Sequence, residues 1–261
     1  MNRTQRYVGA HWFAYFCAVK AIKAPFSFLW KVWFYIVVFC VILAISPFIL
    51  YSSRSEKQYP QFFRFSRVWA KGVLFLIGVR LKRKSTVTRI PKQVIIVANH
   101  TSMLDIPCTL VLVPRTFLFI GKKELAKLPI FGFFYKRTNI LVDRGSVRSR
   151  SRAFEIAAQK LDEGLSICIY PEGGVPDPSV RLGNFKDGAF RLAIEKNIPI
   201  LPITFGENKR HFPYSWFEGG PGILGTTVHP VIETKGKTIK ELREETRAVI
   251  SKELEFYGVK E

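Results

Sequence analysis

The run WFYIVVFCVILAISPFILY, from Trp33 to Tyr51, carries no charged residue. As a helix it reaches the thickness of a bilayer's hydrocarbon layer, whereas a soluble fold could hold it only by surrounding it with core. Trp30, Trp33, Tyr35 and Tyr51 lie near its ends, where amphipathic rings favour the membrane interface. The run begins late, and SPFILYSSR offers no small-residue cleavage site, so a signal peptide does not fit. Charge points the same way. The 261-residue chain has 40 Lys+Arg against 20 Asp+Glu, a formal net charge of +20, which favours a polyanionic partner. Its mean hydropathy is nonetheless positive, and it holds 23 Phe. A nucleic-acid binder would cluster aromatics beside cations on a sheet face. Here that texture is densest in the apolar N-terminal region, which favours lipid and excludes nucleic acid. Disorder is excluded by a hydrophobic content of 48%.

Two flanking segments share this mixed character. HWFAYFCAVKAIKAPFSFLW precedes the run, and FFRFSRVWAKGVLFLIGVRLKRK, Phe62 to Lys84, follows it. The second reads as a helix lying in the headgroup region, cations outward and apolar face toward the acyl chains. Residues 1–84 are therefore expected to form a membrane-binding helical region. Arg3, Arg6, Lys20, Lys23 and Lys31 precede the run, while Arg54, Lys57 and Lys82-Arg83-Lys84 follow it. Basic residues on both sides suit a hairpin dipping into one leaflet as well as a span.

Beyond residue 85 the pattern changes. Short β-branched runs, Val94–Val97, Thr116–Ile120, Leu165–Tyr170, Ile200–Phe205 and Thr226–Val231, alternate with helical segments at Asp105–Val113, Val147–Glu163, Asp187–Lys196 and Thr238–Tyr257. Alternation of this kind predicts an α/β domain over 85–261, with a mostly parallel sheet flanked by helices. The expected fold is thus α/β with N-terminal membrane-attached helices. Such domains place chemistry at the carboxyl ends of their strands. The four cysteines form no C-x-x-C pair and read as small buried hydrophobes in a reducing compartment. His11, His211 and His229 are scattered without zinc-site spacing, so neither metal nor cofactor is expected.

VIIVANHTSMLDIP sets His100 just past an expected strand end, with Asp105 five residues on. A neutral imidazole can take a proton from a hydroxyl, and a carboxylate on its other nitrogen fixes the tautomer and stabilises the imidazolium. Turn and cap formers in NHTSMLD let Asp105 fold back onto the ring. Ser102 lies between them but lacks the glycine-flanked elbow of a serine nucleophile. IYPEGG ends another strand with Glu172, Gly173 and Gly174, whose backbone can approach a ligand closely. NILVDRG carries Arg144, FIGKKEL carries Lys122 and Lys123, and NIPILPITF is a proline-bracketed apolar strand.

Together these residues resemble the glycerolipid acyltransferase family, most closely the 1-acyl-glycerol-3-phosphate (lysophosphatidic acid) acyltransferases. The motif Asn-His-x-x-x-x-Asp matches Asn99 to Asp105, the second motif resembles ILVDR ending at Arg144, and the fourth resembles Ile198 to Pro202. The third, usually Phe-Pro-Glu-Gly-Thr-Arg, is here Tyr170-Pro171-Glu172-Gly173-Gly174-Val175, without the phosphate-binding arginine. Lys122, Lys123, Arg144, Arg181 and Lys186 are candidates to supply that charge. The resemblance implies transfer of a fatty acyl group from acyl-CoA or acyl carrier protein to the sn-2 hydroxyl of lysophosphatidate at the membrane. The catalytic domain would stand on the cytoplasmic face. His100 would act as general base, oriented by Asp105. Lys122, Arg144, Glu172, Gly173 and Gly174 would bind substrate, with backbone amides near Gly173–Gly174 or beside His100 stabilising the oxyanion. The altered third motif leaves room for another lysolipid, such as a lyso-ornithine or lyso-glycine lipid, or glycerol 3-phosphate. A non-catalytic membrane-binding protein is the alternative from another class.

Overall fold

The structure, a computed structural model, describes residues 3–52, 54–85, 87, 89–128, 131–177 and 179–259, with side chains from residue 22 onward except Glu56. The side chains of Arg3, Arg6, His11, Cys17 and Lys20 lie outside the described residues. A seven-stranded sheet forms the centre, in the order β1-β7-β6-β2-β5-β3-β4. Its strands are β1 (Val79–Ser85), β2 (Ile95–Ala98), β3 (Phe117–Lys122), β4 (Asn139–Val142), β5 (Ser166–Ile169), β6 (Ile200–Phe205) and β7 (Gly222–Val228). From β6 to β4 all neighbours pair in parallel. The antiparallel junction is β6 with β7, and β1 then joins β7 in parallel. The mixed α/β, mostly parallel fold expected from the sequence is the fold observed.

Helices cover both faces, which is why the central strands read as unbroken apolar runs. Along β2 the side chains alternate by face. Ile96 and Ala98 pack with α1 (Arg3–Ser52), α2 (Tyr59–Leu76) and α3 (Asp105–Leu112). Ile95 and Val97 pack with α5 (Val147–Asp162), α6 (Gly188–Lys196) and α8 (Ile239–Phe256). Two short helices, α4 (Phe131–Thr138) and α7 (Asn208–His211), fill connections. Each fully buried Ile or Val here contributes about 1.5–3 kcal/mol relative to exposure. The start of α8 is set by a capping box, Thr238 and Glu241 satisfying each other's backbone amides.

The segment Phe62–Lys84 departs from expectation. Its helix ends at Leu76, Gly78 takes φ +71, and Val79–Ser85 becomes an edge strand. Gly78 supplies a backbone conformation that a side chain disfavours, and in VRLKRKS only Val79 is buried while the cations face outward. Arg80, Lys82, Arg83 and Lys84 guard the sheet edge against further pairing. Nor is α2 wholly interfacial: Phe62, Phe63, Ala70, Val73 and Leu74 are buried. β7 is also displaced from the expected Thr226–Val231, starting at Gly222 and ending at Val228. β4 and α4 were not foreseen as elements.

α1 runs as one helix through Pro25 and Pro47. Trp30, Phe34 and Val37, with Val41 partly covered, form a stripe at helical spacing against the protein core. Ile42 and Ile49 pack farther along against Phe62 and Phe134, yet most of the helix is open: within Ile22–Ser52, long and apolar enough to cross a membrane, only 22% of the most apolar window is buried. This exposed face, apolar apart from Lys23 near its start, fits membrane association.

Candidate active site

Four strands, β2, β5, β3 and β4, lie side by side and parallel, so they end on one edge of the sheet. His100 follows β2, Glu172 follows β5, Lys122 closes β3 and Arg144 follows β4. Topology alone thus gathers residues far apart in sequence.

Asn99 fixes the end of β2. Its amide pairs with both backbone groups of Phe205, donating to the carbonyl at 3.0 Å and accepting from the N–H at 2.8 Å. His100 then turns toward α3, whose first residue is Asp105. His100 Nδ1 donates to Asp105 Oδ2 at 2.8 Å. The same oxygen accepts from the amides of Thr101 at 2.8 Å and Ser102 at 3.0 Å. Asp105 Oδ1 accepts from Asn208 Nδ2 at 2.7 Å. Four donors and the α3 N-terminus therefore hold a fully buried carboxylate. With Nδ1 bonded inward, Nε2 keeps a lone pair on a ring that is 16% exposed. Tyr170 stacks on the imidazole, centroids 4.2 Å apart and planes 18° apart. Its hydroxyl, where the motif usually has Phe, bonds Thr109 Oγ1 at 3.0 Å. Ser102 is no free nucleophile: its buried hydroxyl donates to the Phe212 carbonyl at 2.9 Å.

Glu172 bonds the backbone of the same loop. Oε1 accepts the His100 amide and Oε2 the Gly183 amide, both at 2.7 Å. Burial raises its carboxyl above the usual range, and the two amides draw it partly back. Next to it Gly173, at φ +74, admits Lys186: a Cβ at 173 would lie 2.5 Å from the lysine nitrogen. A Cβ at Gly174 would lie 3.5 Å from Arg144 Nη1. Arg144, Lys186 and the glycine pair thus come together beside His100. Lys122 shares the edge, but its side chain points to solvent. Of the amides considered for the oxyanion, those of His100, Thr101 and Ser102 are already committed to carboxylates, and that of Gly173 bonds the Tyr170 carbonyl. Gly174 N–H is the one of this group with no bond among the described residues.

Asn208 was missed in the sequence. The signal was available: it lies three residues past the end of β6, the neighbour of β2 on the same edge. Cys108 and Cys168 are buried as expected, and burial pushes both thiols well up, while Cys40 is exposed on α1.

Comparison with known proteins bears on what this edge does. The sequence profile described as Acyltransferase matches residues 79–206, from β1 to just past β6. A probable 1-acyl-sn-glycerol-3-phosphate acyltransferase of Mycoplasma pneumoniae is 30% identical over 215 residues, covering 73% of this chain and 79% of that protein. The chain belongs to the acyltransferase family. A chloroplastic 1-acyl-sn-glycerol-3-phosphate acyltransferase of Arabidopsis thaliana is 26% identical over 212 residues, 80% of this chain but only 54% of the plant protein. Against the crystal structure of the 1-acyl-sn-glycerophosphate acyltransferase of Thermotoga maritima the TM-score is 0.75, over 93% of this chain and 99% of that one. At 24% identity this is a likeness of fold, and it extends over nearly the whole of both chains.

Proposed function

We propose that the chain is a membrane-associated 1-acyl-sn-glycerol-3-phosphate O-acyltransferase. The observation that carries this reading is the 2.8 Å bond from His100 Nδ1 to a buried Asp105, at a strand edge that also holds Arg144 and a glycine pair. His100 Nε2 takes the proton of the sn-2 hydroxyl of lysophosphatidate as that oxygen attacks the thioester carbonyl of acyl-CoA or acyl carrier protein. The tetrahedral intermediate collapses, the C–S bond breaks, and the imidazolium returns its proton to the departing thiolate. Asp105 holds the ring and stabilises the imidazolium, and no acyl-enzyme is needed. Gly174 N–H, unbonded among the described residues and adjoining Arg144, is the amide assigned to the oxyanion. Glu172 braces the His100 loop against the Gly183 turn. Arg144 binds the acceptor phosphate as a fork, with Lys122 adding positive charge from β3.

The missing third-motif arginine leaves room for a different acceptor on sequence grounds. Two features support phosphate instead: Lys186 occupies the space over Gly173, and Arg144 borders Gly174. Residues 1–84 form the membrane-facing part, though β1 within it completes the sheet edge, and residues 85–261 carry the chemistry on the cytoplasmic face.

The test uses the full chain in vesicles with labelled acyl-CoA or acyl carrier protein and a panel of acceptors: lysophosphatidate, lyso-ornithine and lyso-glycine lipids, and glycerol 3-phosphate. Phosphatidate formation in strong preference to other products is expected. Transfer only to a phosphate-free lysolipid would overturn the acceptor, and donor hydrolysis without transfer would overturn the reaction.

A further inference from the structure

Between α7 and β7 the chain from Phe212 to Pro221 leaves the sheet edge and lies along α1. The helix grips the backbone of this loop. Ser27 Oγ donates to the Gly219 carbonyl at 2.8 Å. Lys31, only 3% exposed, donates through Nζ to the carbonyls of Pro213 and Ser215, and that nitrogen sits 4.7 Å from the centroid of the Phe212 ring. Phe34 packs against the same ring with centroids 4.5 Å apart. A buried ammonium is costly unless its donors are used, so this attachment is specific rather than incidental.

What the fixed loop turns outward is aromatic. Tyr214, Trp216 and Phe217 are 57%, 46% and 59% exposed. On one side they meet α1: Phe28 lies 6.0 Å from both the Trp216 and Phe217 rings, and Tyr35 lies 5.7 Å from Trp216. These α1 residues belong to the exposed apolar face of Ile22–Ser52. The loop is therefore continuous with a surface already suited to lipid, and PYSWF adds no charge to it. Trp and Tyr are the rings that favour the headgroup boundary. Water would be a poor solvent for three adjacent rings that the fold holds open instead of folding away.

The loop also adjoins the chemistry. Ser102 donates to the Phe212 carbonyl at 2.9 Å, and Tyr35 OH donates to Met103 Sδ at 3.5 Å. We infer that Pro213–Phe217 is a second lipid-contact element, inserted at the bilayer interface beside α1, which sets the depth of the His100 loop at the headgroups.

The full chain, reconstituted in phosphatidylcholine–phosphatidylglycerol vesicles, tests this without reference to catalysis. The difference in tryptophan emission between wild type and Trp216→Phe isolates Trp216. With lipids brominated near the headgroup end of their acyl chains, that component should be quenched about twofold or more, while aqueous acrylamide reaches it poorly. Phe217→Trp in the Trp216→Phe background should behave alike, which guards against a local effect of one substitution. Quenching by acrylamide and not by brominated lipid would overturn the proposal and place the loop in water. Protection from both quenchers would also overturn it, pointing to a second copy of the chain over the rings.

Discussion

In the loop from Asn99 to Asp105, polar side chains are buried, and all but the Thr101 hydroxyl are bonded. Along α1, large apolar groups are exposed and unmatched. Asn99 uses donor and acceptor on one residue, Ser102 donates and accepts, and Asp105 takes four donors, all at essentially no exposure. Ile22, Phe26 and Leu29 on α1 are more than half exposed. The first region is made for a preorganised reaction, the second for a different solvent. One chain can hold both because the buried stripe of α1, Trp30, Phe34 and Val37, belongs to the same core as Leu104 and Cys108. The apolar helix and the reactive loop are thus mechanically one body.

The comparison breaks most readily at Asp105. Asp105→Asn keeps the shape but loses the charge that stabilises the imidazolium and turns one of two acceptors into a donor, and acyl transfer should fall by about 10²–10⁴-fold. Retained secondary structure with full activity would remove Asp105 from the account. Along α1 the contrast is between faces. Phe34→Ala, on the buried stripe, should cost about 3 kcal/mol in detergent-based unfolding, whereas Phe39→Ala on the exposed face should cost well under about 1 kcal/mol. Equal costs would mean that both faces are packed on protein.

His229 sharpens the picture on the polar side. It is buried against Thr204 Oγ1 at 2.8 Å, and burial lowers its imidazole from 6.5 to about 4. As pH falls below 6.5 the unfolded chain takes up a proton that the folded chain refuses until about 4. Its contribution to stability is complete above the unfolded value and lost across that interval, by about 3 kcal/mol. His229→Gln should flatten this slope in a pH series of unfolding midpoints, and an unchanged slope would assign it to other groups. A smaller effect on the reaction than that of Asp105 is expected at Asn208. Asn208→Leu leaves Asp105 Oδ1 without its donor, lowering kcat about 10-fold with KM for lysophosphatidate nearly unchanged. A rise in KM alone would place Asn208 with the substrate rather than behind Asp105.

Much of this was legible in the sequence because periodicity was strong. The apolar runs around Ile96 and Leu201 and the helix over Val147–Asp162 each fill a position that only one kind of element suits. The reactive pair was legible too, since His100 and Asp105 lie on one turn. Phe62–Lys84 misled because an apolar helix and a cation-rich edge strand run together in one mixed segment, divided only by Gly78. The amides beside His100 misled for another reason: sequence does not reveal that Asp105 and Glu172 already claim them. Asn208 needed the order of strands, which brings β6 beside β2 through pairing and not through proximity in the chain.

The most direct measurement is single-turnover acyl transfer to lysophosphatidate by wild type and His100→Ala, reconstituted in the same vesicles and shown to be equally folded. The account predicts phosphatidate from the wild type, with no acylated protein accumulating, and a rate about 10²–10⁴-fold lower in the variant. Comparable rates from the two proteins, or an acylated chain that forms without acceptor and then passes its acyl group on, would contradict it.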